Sequence, residues 1–260
     1  MDPRITFLEE LSLNAWPGHH TVLYDGWLLR FSEGYTQRAN SINPLYNGHE
    51  PDLYRKIQTC EECYTSKGLP TVFKLTPASV PSNLDEVLNS LGYAKFEPVS
   101  IQAVALDELQ PFLSDTASPG EDSHVFRESQ LKPDWLLAWL HLTNISIGHW
   151  ANVEKLLGNI LPSHCFLRLE EAGQTMAVGL AVYERGYVGL FDIVTNPAFR
   201  RQGWGRRLVV ELLRWGQAQG ANTAYLQVAT PNTAALQLYA GFGFREVYRY
   251  WYRVKALAKV

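Results

Sequence analysis

Between Phe199 and Leu208 the chain reads FRRQGWGRRL, in which four arginines surround Gly203 and Gly205. Cationic side chains beside glycines suit an oxyanion. Glycine lets a ligand approach the backbone closely, and arginine neutralises the charge that arrives. Just before this stretch, VGLFDIV is a short run of apolar, β-branched and aromatic residues and reads as a buried strand. Just after it, Leu208, Val209, Leu212, Leu213 and Trp215 recur at helical spacing, and Gly220 is a stop. A strand, a glycine loop and a helix in that order place unsatisfied helical N–H groups at the loop, which favours phosphate. Two phosphate loops are excluded. A Walker loop needs Gly-Lys-Ser/Thr, and Arg206-Arg207 follow Gly205. A dinucleotide fingerprint needs a third glycine, where Leu208 stands.

A third pattern fits. Arg200, Gly203 and Gly205 form Arg-x-x-Gly-x-Gly, which resembles motif A of the GNAT superfamily of N-acetyltransferases. Downstream, NTAYLQVATPNTAALQLYAGFGFREVYRYWYRV reads strand, turn, helix, strand. Ala224 to Val228 form the strand, Pro231-Asn232 break it, and Ala235, Leu236, Leu238 and Tyr239 sit on the helix that Gly241 and Gly243 end. The Asn, the Leu-Tyr pair and the closing Gly-Phe resemble GNAT motif B. The two motifs cover residues 187 to 254.

This resemblance implies acetyl-CoA as the acyl donor. Backbone groups of Val194 and Thr195 are expected along its pantetheine arm. The N–H groups of Gln202, Gly203, Trp204, Gly205 and Arg206 are expected around its pyrophosphate, with Arg200 and Arg201 adding charge. Asn232 is expected near the thioester or pantetheine, and Tyr239 matches the tyrosine that protonates the leaving thiolate in many GNAT enzymes. Some members carry a glutamate on the strand before motif A. Phe191 stands there in this chain, with Asp192 beside it. Strand alternation puts the two on opposite faces unless a bulge intervenes. Asp192 is thus a candidate base, a partner for the substrate ammonium, or a structural acceptor, and Glu184 is a weaker candidate. An α-amine acceptor needs little help to lose its proton near neutral pH, whereas a lysine-like amine needs a base. The functions to separate are an N-acetyltransferase for the amine of a small molecule, amino acid or peptide, and a non-catalytic acyl-CoA-binding or sensing protein.

These motifs need a sheet to hold them, and the N-terminal half repeats the same plan. DGWLLRF reads as a strand, SEGY as a turn and TQRANSINPL as a further extended run. PDLYRKIQTCEECYTSKG is a helix, PTVFKLT a strand, SNLDEVLNSLG a helix and KFEPVSIQAVAL a strand. Before its long helix this half has YNGHEPD in place of the glycine-arginine loop, and Leu88 where the other half has Tyr239. The expected fold is α/β (α+β), with two GNAT-like mixed-sheet units of which the N-terminal one is degenerate, similar to tandem GNAT enzymes. The expected division is 1–106 for the degenerate unit, 107–122 for a linker rich in Pro, Ser, Gly and acidic residues, and 123–260 for the catalytic unit. The polar block RFSEGYTQRANSINPL makes Tyr35, Arg38 and Asn40 candidate acceptor-binding residues.

The chain has 260 residues, is 46% hydrophobic and carries a net charge of −3, so it can build real cores and has no general bias toward nucleic acid or membranes. The first residues lack a signal-peptide pattern, and no stretch approaches a membrane span. A cytoplasmic monomer or homodimer is expected. Cys60 and Cys63 are spaced as C-x-x-C, but Cys165 is the only other cysteine, so helical spacing is preferred to a metal site.

Overall fold

The computed structural model describes residues 2–96, 98–113 and 123–257, and it divides into two compact units. The first comprises Met1–Ser100 together with the chain from Tyr248 onward, and the second is Ile101–Val247.

In the first unit, α1 (Pro3–Ala15) is capped by Asp2 and leads to the hairpin of β1 (His20–Tyr24) and β2 (Trp27–Phe31). Asp25 and Gly26 turn that hairpin with φ of 43° and 84°, the doubly positive pattern of a two-residue Asp-Gly loop. Then come β3 (Ile42–Pro44), α2 (Leu53–Thr65), β4 (Thr71–Leu75), α3 (Leu84–Ser90) and β5 (Ala94–Lys95). β3 and β4 are parallel, as the α2 crossover requires. Trp27, Ile42 and Phe73 pack against Ile57, Cys60 and Tyr64 of α2. A buried ion pair joins α1 to the sheet. Lys74 Nζ lies 2.5 Å from Glu9 Oε2, and the Tyr248 hydroxyl donates to Glu9 Oε1 at 2.7 Å. Desolvation holds the Lys74 ammonium below its ordinary pKa, opposed by the Glu9 charge. Arg30, also buried, donates to the carbonyls of Leu13 and Trp16 and so satisfies the C-terminal end of α1.

The expected extended run over TQRANSINPL is strand only from Ile42 to Pro44. Gln37–Ala39 form a 3-10 turn, because the Thr36 hydroxyl accepts from the Ala39 N–H and offers the backbone a local alternative to the sheet.

The second unit begins with the remainder of β6 (Val99–Ala105). It continues through α4 (Gln110–Leu113), β7 (Ser123–Glu128), α5 (Pro133–Thr143), α6 (Trp150–Gly158), β8 (Ser163–Glu171), β9 (Gln174–Glu184) and β10 (Tyr187–Thr195). Then follow α7 (Trp204–Ala218), β11 (Thr223–Ala229) and α8 (Thr233–Ala240). Its strand order is β6-β11-β10-β9-β8-β7, with β10 and β11 parallel around α7. The last strand, β12 (Arg245–Lys255), starts in this unit and contributes Tyr248 onward to the first, where it runs antiparallel to β4. The compact units therefore divide differently from the expected 1–106 and 123–260. The expected linker also begins as helix. Leu106, Leu109 and Leu113 are buried in the core of the second unit, and residues 114–122 of that expectation lie outside the described ones.

α7 and α5 cover opposite faces of the second sheet. Leu167 joins the α7 core, whereas its neighbour Phe166 meets Trp135 of α5 edge-on at 5.0 Å. α7 lies close to the strands because glycine stands on both sides of the contact. A Cβ at Gly216 would come within 2.7 Å of the Val188 side chain, and one at Gly179 within 2.9 Å of Leu212. Replacement of Gly216 by alanine would improve helix propensity by about 1 kcal/mol. We predict net destabilisation instead, by roughly 1–2 kcal/mol, because overpacking against Val188 outweighs that gain. Chemical denaturation of Gly216→Ala checks the sign.

Candidate active site

The loop that the arginines mark lies between the end of β10 and the start of α7. Asn196 anchors its entry. Its N–H donates to Met176 O at 2.8 Å, its Nδ2 to Thr175 O at 3.0 Å, and its Oδ1 accepts from the Ala198 N–H. Arg201 then has φ of 62° and Gly203 φ of 88°. Left-handed residues alternating with ordinary ones turn successive N–H groups toward one side and form an anion-binding concavity. Gly203 is the N-cap of α7 and provides no side-chain cap; Arg207 N–H is the first to reach a helical acceptor, Gly203 O at 2.9 Å. The N–H groups of Trp204, Gly205 and Arg206 thus face outward from the positive end of a 15-residue helix.

A Cβ built on Gly203 meets no atom within 4 Å, so the space above this backbone is open. At Gly205 it would come 3.0 Å from Thr195 Oγ1, which keeps α7 pressed against the end of β10. The four arginines divide into two pairs. Arg200, Arg201 and Arg206 are exposed and Arg207 is half-buried, but only Arg206 and Arg207 lie against rings of the fold. Arg206 is held between the rings of Phe112 and Phe242, at 4.8 and 4.9 Å, and Arg207 lies over Trp204 and donates to Ser123 Oγ at 2.5 Å. The second pair builds the loop, and the first leaves its charge available.

β10 supplies the other wall. Its parallel ladder with β11 pairs Tyr187 through Leu190 with Thr223 through Leu226 and stops there. On its other side the register with β9 shifts between Phe191 and Val194, and Asp192, inside that bulge, has φ of 49°. The bulge bends β10 away from β11, so its edge at Val194 and Thr195 lies beyond the reach of the ladder, while both residues still pair with Val178 and Ala177. Phe191 packs edge-on against Tyr225 at 5.9 Å and is a core residue. The bulge breaks the alternation that would tie Asp192 to the face opposite Phe191. Glu184 sits at the end of β9, 3.3 Å from Arg185.

Tyr239 lies on α8, 7% exposed, with its ring 5.9 Å from Phe244. Burial pushes its hydroxyl pKa up to about 12. Asn232 caps α8, its Oδ1 accepting from the Ala235 N–H at 3.1 Å. The proposed cradle residues therefore share one end of the second unit, whereas Tyr35, Arg38 and Asn40 belong to the first. There Asn40 is occupied within its own turn, accepting from the Ser32 and Gly34 N–H groups and donating to Thr36 O. Arg38 lies 5.0 Å from the Trp16 ring, and its carbonyl accepts from Arg30. Cys60 is buried in α2 with its thiol pushed up to about 12 by desolvation, and no group of three or more His, Cys, Asp or Glu side chains is placed to hold a metal among the described residues.

The family described as "Probable histone acetyltransferase Rv0428c C-terminal" matches residues 3–253. The chain belongs to that family. It is 28% identical over 248 residues to "Uncharacterized N-acetyltransferase YobR" of Bacillus subtilis, a match spanning 95% of this chain and 97% of that one. A 79-residue stretch, 30% of this chain and 53% of the other, is 33% identical to the "[Ribosomal protein bS18]-alanine N-acetyltransferase" of Escherichia coli. In fold it resembles a GCN5-related N-acetyltransferase from Kribbella flavida, with a TM-score of 0.70 and 15% identity over 98% of this chain and 95% of that one. It likewise resembles a tandem GNAT protein from the clavulanic acid biosynthesis pathway, with a TM-score of 0.69 and 10% identity over 97% and 88% of the two chains. The protein is an acetyltransferase with a GNAT-like α/β fold and mixed sheet. No helix among its described residues is long and apolar enough to cross a membrane.

Sequence reasoning passed over Asn196, although Asn before Pro197 is a turn signal, and over Phe112 and Phe242, whose grip on Arg206 exists only after folding. Valine at Gly203 would place a branched side chain in the open space above the loop and strain a positive φ. Gly203→Val is predicted to fold and to lose at least about tenfold in acetyl-CoA affinity, one such factor corresponding to about 1.4 kcal/mol. Circular dichroism and calorimetry check the two halves of that statement.

Proposed function

We propose that this acetyltransferase takes acetyl-CoA as its donor and the amine of a small molecule, amino acid or peptide as its acceptor. The observation that carries the reading is the loop from Arg200 to Arg206. It has open space above Gly203, outward N–H groups at the start of α7 and three exposed arginines, Arg200, Arg201 and Arg206, beside a strand edge freed by a bulge. A pyrophosphate fits the loop. A pantetheine arm fits the edge at Val194 and Thr195 as an added strand would. The names of one relative and of the family point to amines on proteins, an alanine of bS18 for the first and histones for the second.

Acetyl-CoA supplies an acyl group already activated as a thioester. The acceptor nitrogen must arrive neutral, form the new C–N bond and leave its surplus proton behind. In this proposal Asp192 holds the acceptor ammonium or removes that proton. Tyr239 donates its hydroxyl proton to the sulfur as the C–S bond breaks. A tyrosine whose pKa stands near 12 is fully protonated at neutral pH, the form this step needs.

We further propose that the first unit is a degenerate copy of the second. Both carry antiparallel strands leading to a parallel pair around a long helix, β3-α2-β4 in one and β10-α7-β11 in the other. In each, the strand beyond that pair comes from the other half of the sequence. β12 continues beside β4, and β6 stands beside β11.

Thiol release from acetyl-CoA with a panel of α-amines, lysine-like amines and peptides tests the activity, and the absence of amine-dependent release from every member would refute it. Tyr239→Phe is expected to lower turnover about 10²–10⁴-fold with acetyl-CoA affinity kept. Because the Tyr239 pKa is raised, the hydroxyl loses its proton only far above neutrality. The wild-type pH–rate profile should therefore show no limb belonging to Tyr239 between pH 6 and 9, and Tyr239→Phe should keep the same profile shape there.

A further inference from the structure

In the first unit, YNGHEPD occupies the place before α2 that the arginine-glycine loop occupies before α7. This segment also surrounds an oxyanion, and the oxyanion belongs to the chain. Asp25, at the tip of the β1–β2 hairpin, points its carboxylate into the segment. Oδ1 accepts from the His49 N–H at 2.6 Å, and Oδ2 accepts from the Glu50 N–H at 3.1 Å. Lys56 Nζ, buried on the first turns of α2, lies 2.7 Å from Oδ2 and 2.5 Å from Asp25 O. The Trp27 ring lies 4.2 Å from the same ammonium. These contacts, the Lys56 hydrogen bond first and the His49 N–H next, hold the Asp25 carboxyl down at about 2.

The surroundings are shaped for this group. A Cβ at Gly48 would stand 2.0 Å from Asp25 Oδ2, so only glycine admits the carboxylate there. Asp25 and Gly26 both take positive φ, which aims the carboxylate back at the segment. Asp52 caps α2 separately, accepting from the Tyr54 and Arg55 N–H groups, so the Asp25 contacts are not the helix cap. A cavity of about 180 Å³ opens beside them, lined by Lys56, Trp27, Asn47, Gly48, Glu50 and Val80 among others. The Glu50 carboxylate is turned onto the Asp52 N–H at 3.1 Å.

We propose that the first unit contains an oxyanion site made by the His49 and Glu50 N–H groups and the Lys56 ammonium, and that the Asp25 carboxylate is its resident ligand. The site takes small tetrahedral or planar oxyanions of the phosphate and carboxylate class. In the native chain it is closed to them because an intramolecular carboxylate has no association entropy to lose. The likeness to the loop before α7 rests on the duplication proposed above; the site itself rests on the contacts alone. The first unit thus retains an anion cradle and fills it from within.

Asp25→Gly removes the carboxylate and tolerates the positive φ. The full-length variant should melt below wild type in chloride buffer. Inorganic phosphate should then raise its melting temperature by roughly 3–5 °C for each tenfold increase above the dissociation constant. Wild type should show only the response that ionic strength and the open loop before α7 give, and Asp25→Gly should exceed it. Asp25→Gly/Lys56→Met should lose the rescue, and Asp25→Asn, which still fills the space, should not acquire it. Equal phosphate effects on wild type and Asp25→Gly, no effect on either, or rescue that survives loss of Lys56 would each overturn the proposal. If Asp25→Gly does not fold in either buffer, Asp25→Ser is read by the same criteria. Acetyl-CoA affinity should be unchanged in Asp25→Gly, because its donor loop is in the other unit. Failure of acetyl-CoA to bind any variant would therefore count against the proposed function and leave the phosphate result to judge this site.

Discussion

The close seat of α7 on β9 and β10 is the constraint from which the candidate active site follows. Gly216 and Gly179 remove the side chains that would hold the helix off the sheet; Val188 fills the space at Gly216, and Leu208 and Leu212 fill that at Gly179. At the start of the same helix Gly205 allows contact with Thr195. A helix fixed at both ends against one strand has a fixed N-terminus, and an anion site made of backbone N–H groups has no side-chain freedom with which to correct a misplaced helix. The left-handed turns at Arg201 and Gly203 and the clamp on Arg206 complete this placement.

The bulge in β10 does complementary work. Parallel strands fully paired along their length would leave no edge for an extended ligand. Ending the ladder at Leu190 and Leu226 while keeping β10 paired to β9 opens one side of the strand without exposing the other. Electrostatics then separate the two units. In the second, the helix start has no side-chain cap, and Arg200, Arg201 and Arg206 remain exposed. In the first, the corresponding helix is capped by Asp52, and Lys56 is paired with Asp25. Both units use a strand, a loop and a helix; only one leaves the positive end of the helix open.

Much of the second unit was legible because its signals are local. The periodicity of Leu208, Val209, Leu212 and Leu213 placed α7 within a residue of its observed end, and the Pro231-Asn232 break placed the start of α8. Tyr248, Tyr250 and Tyr252 alternate along the chain and share a buried face of β12. What periodicity could not show depends on distant partners. Arg253 reads as a surface residue, yet it is buried because Asp85 and Asn89 of α3 receive its guanidinium. The polar block around Asn40 reads as a sheet face, yet its amide serves a turn. The bulge at Asp192 leaves no mark in composition, since it is a property of register between two strands. The contribution of β12 to the first unit was hidden for the same reason, because pairing partners are not encoded in the pattern of one strand.

One open cradle per chain is expected, at the junction of β10 and α7, with the corresponding place in the first unit closed. Calorimetric titration of the full-length protein with acetyl-CoA reads this directly. Saturation at one acetyl-CoA per chain is the expected result; saturation at two, or no binding by the folded protein, would contradict a single open cradle.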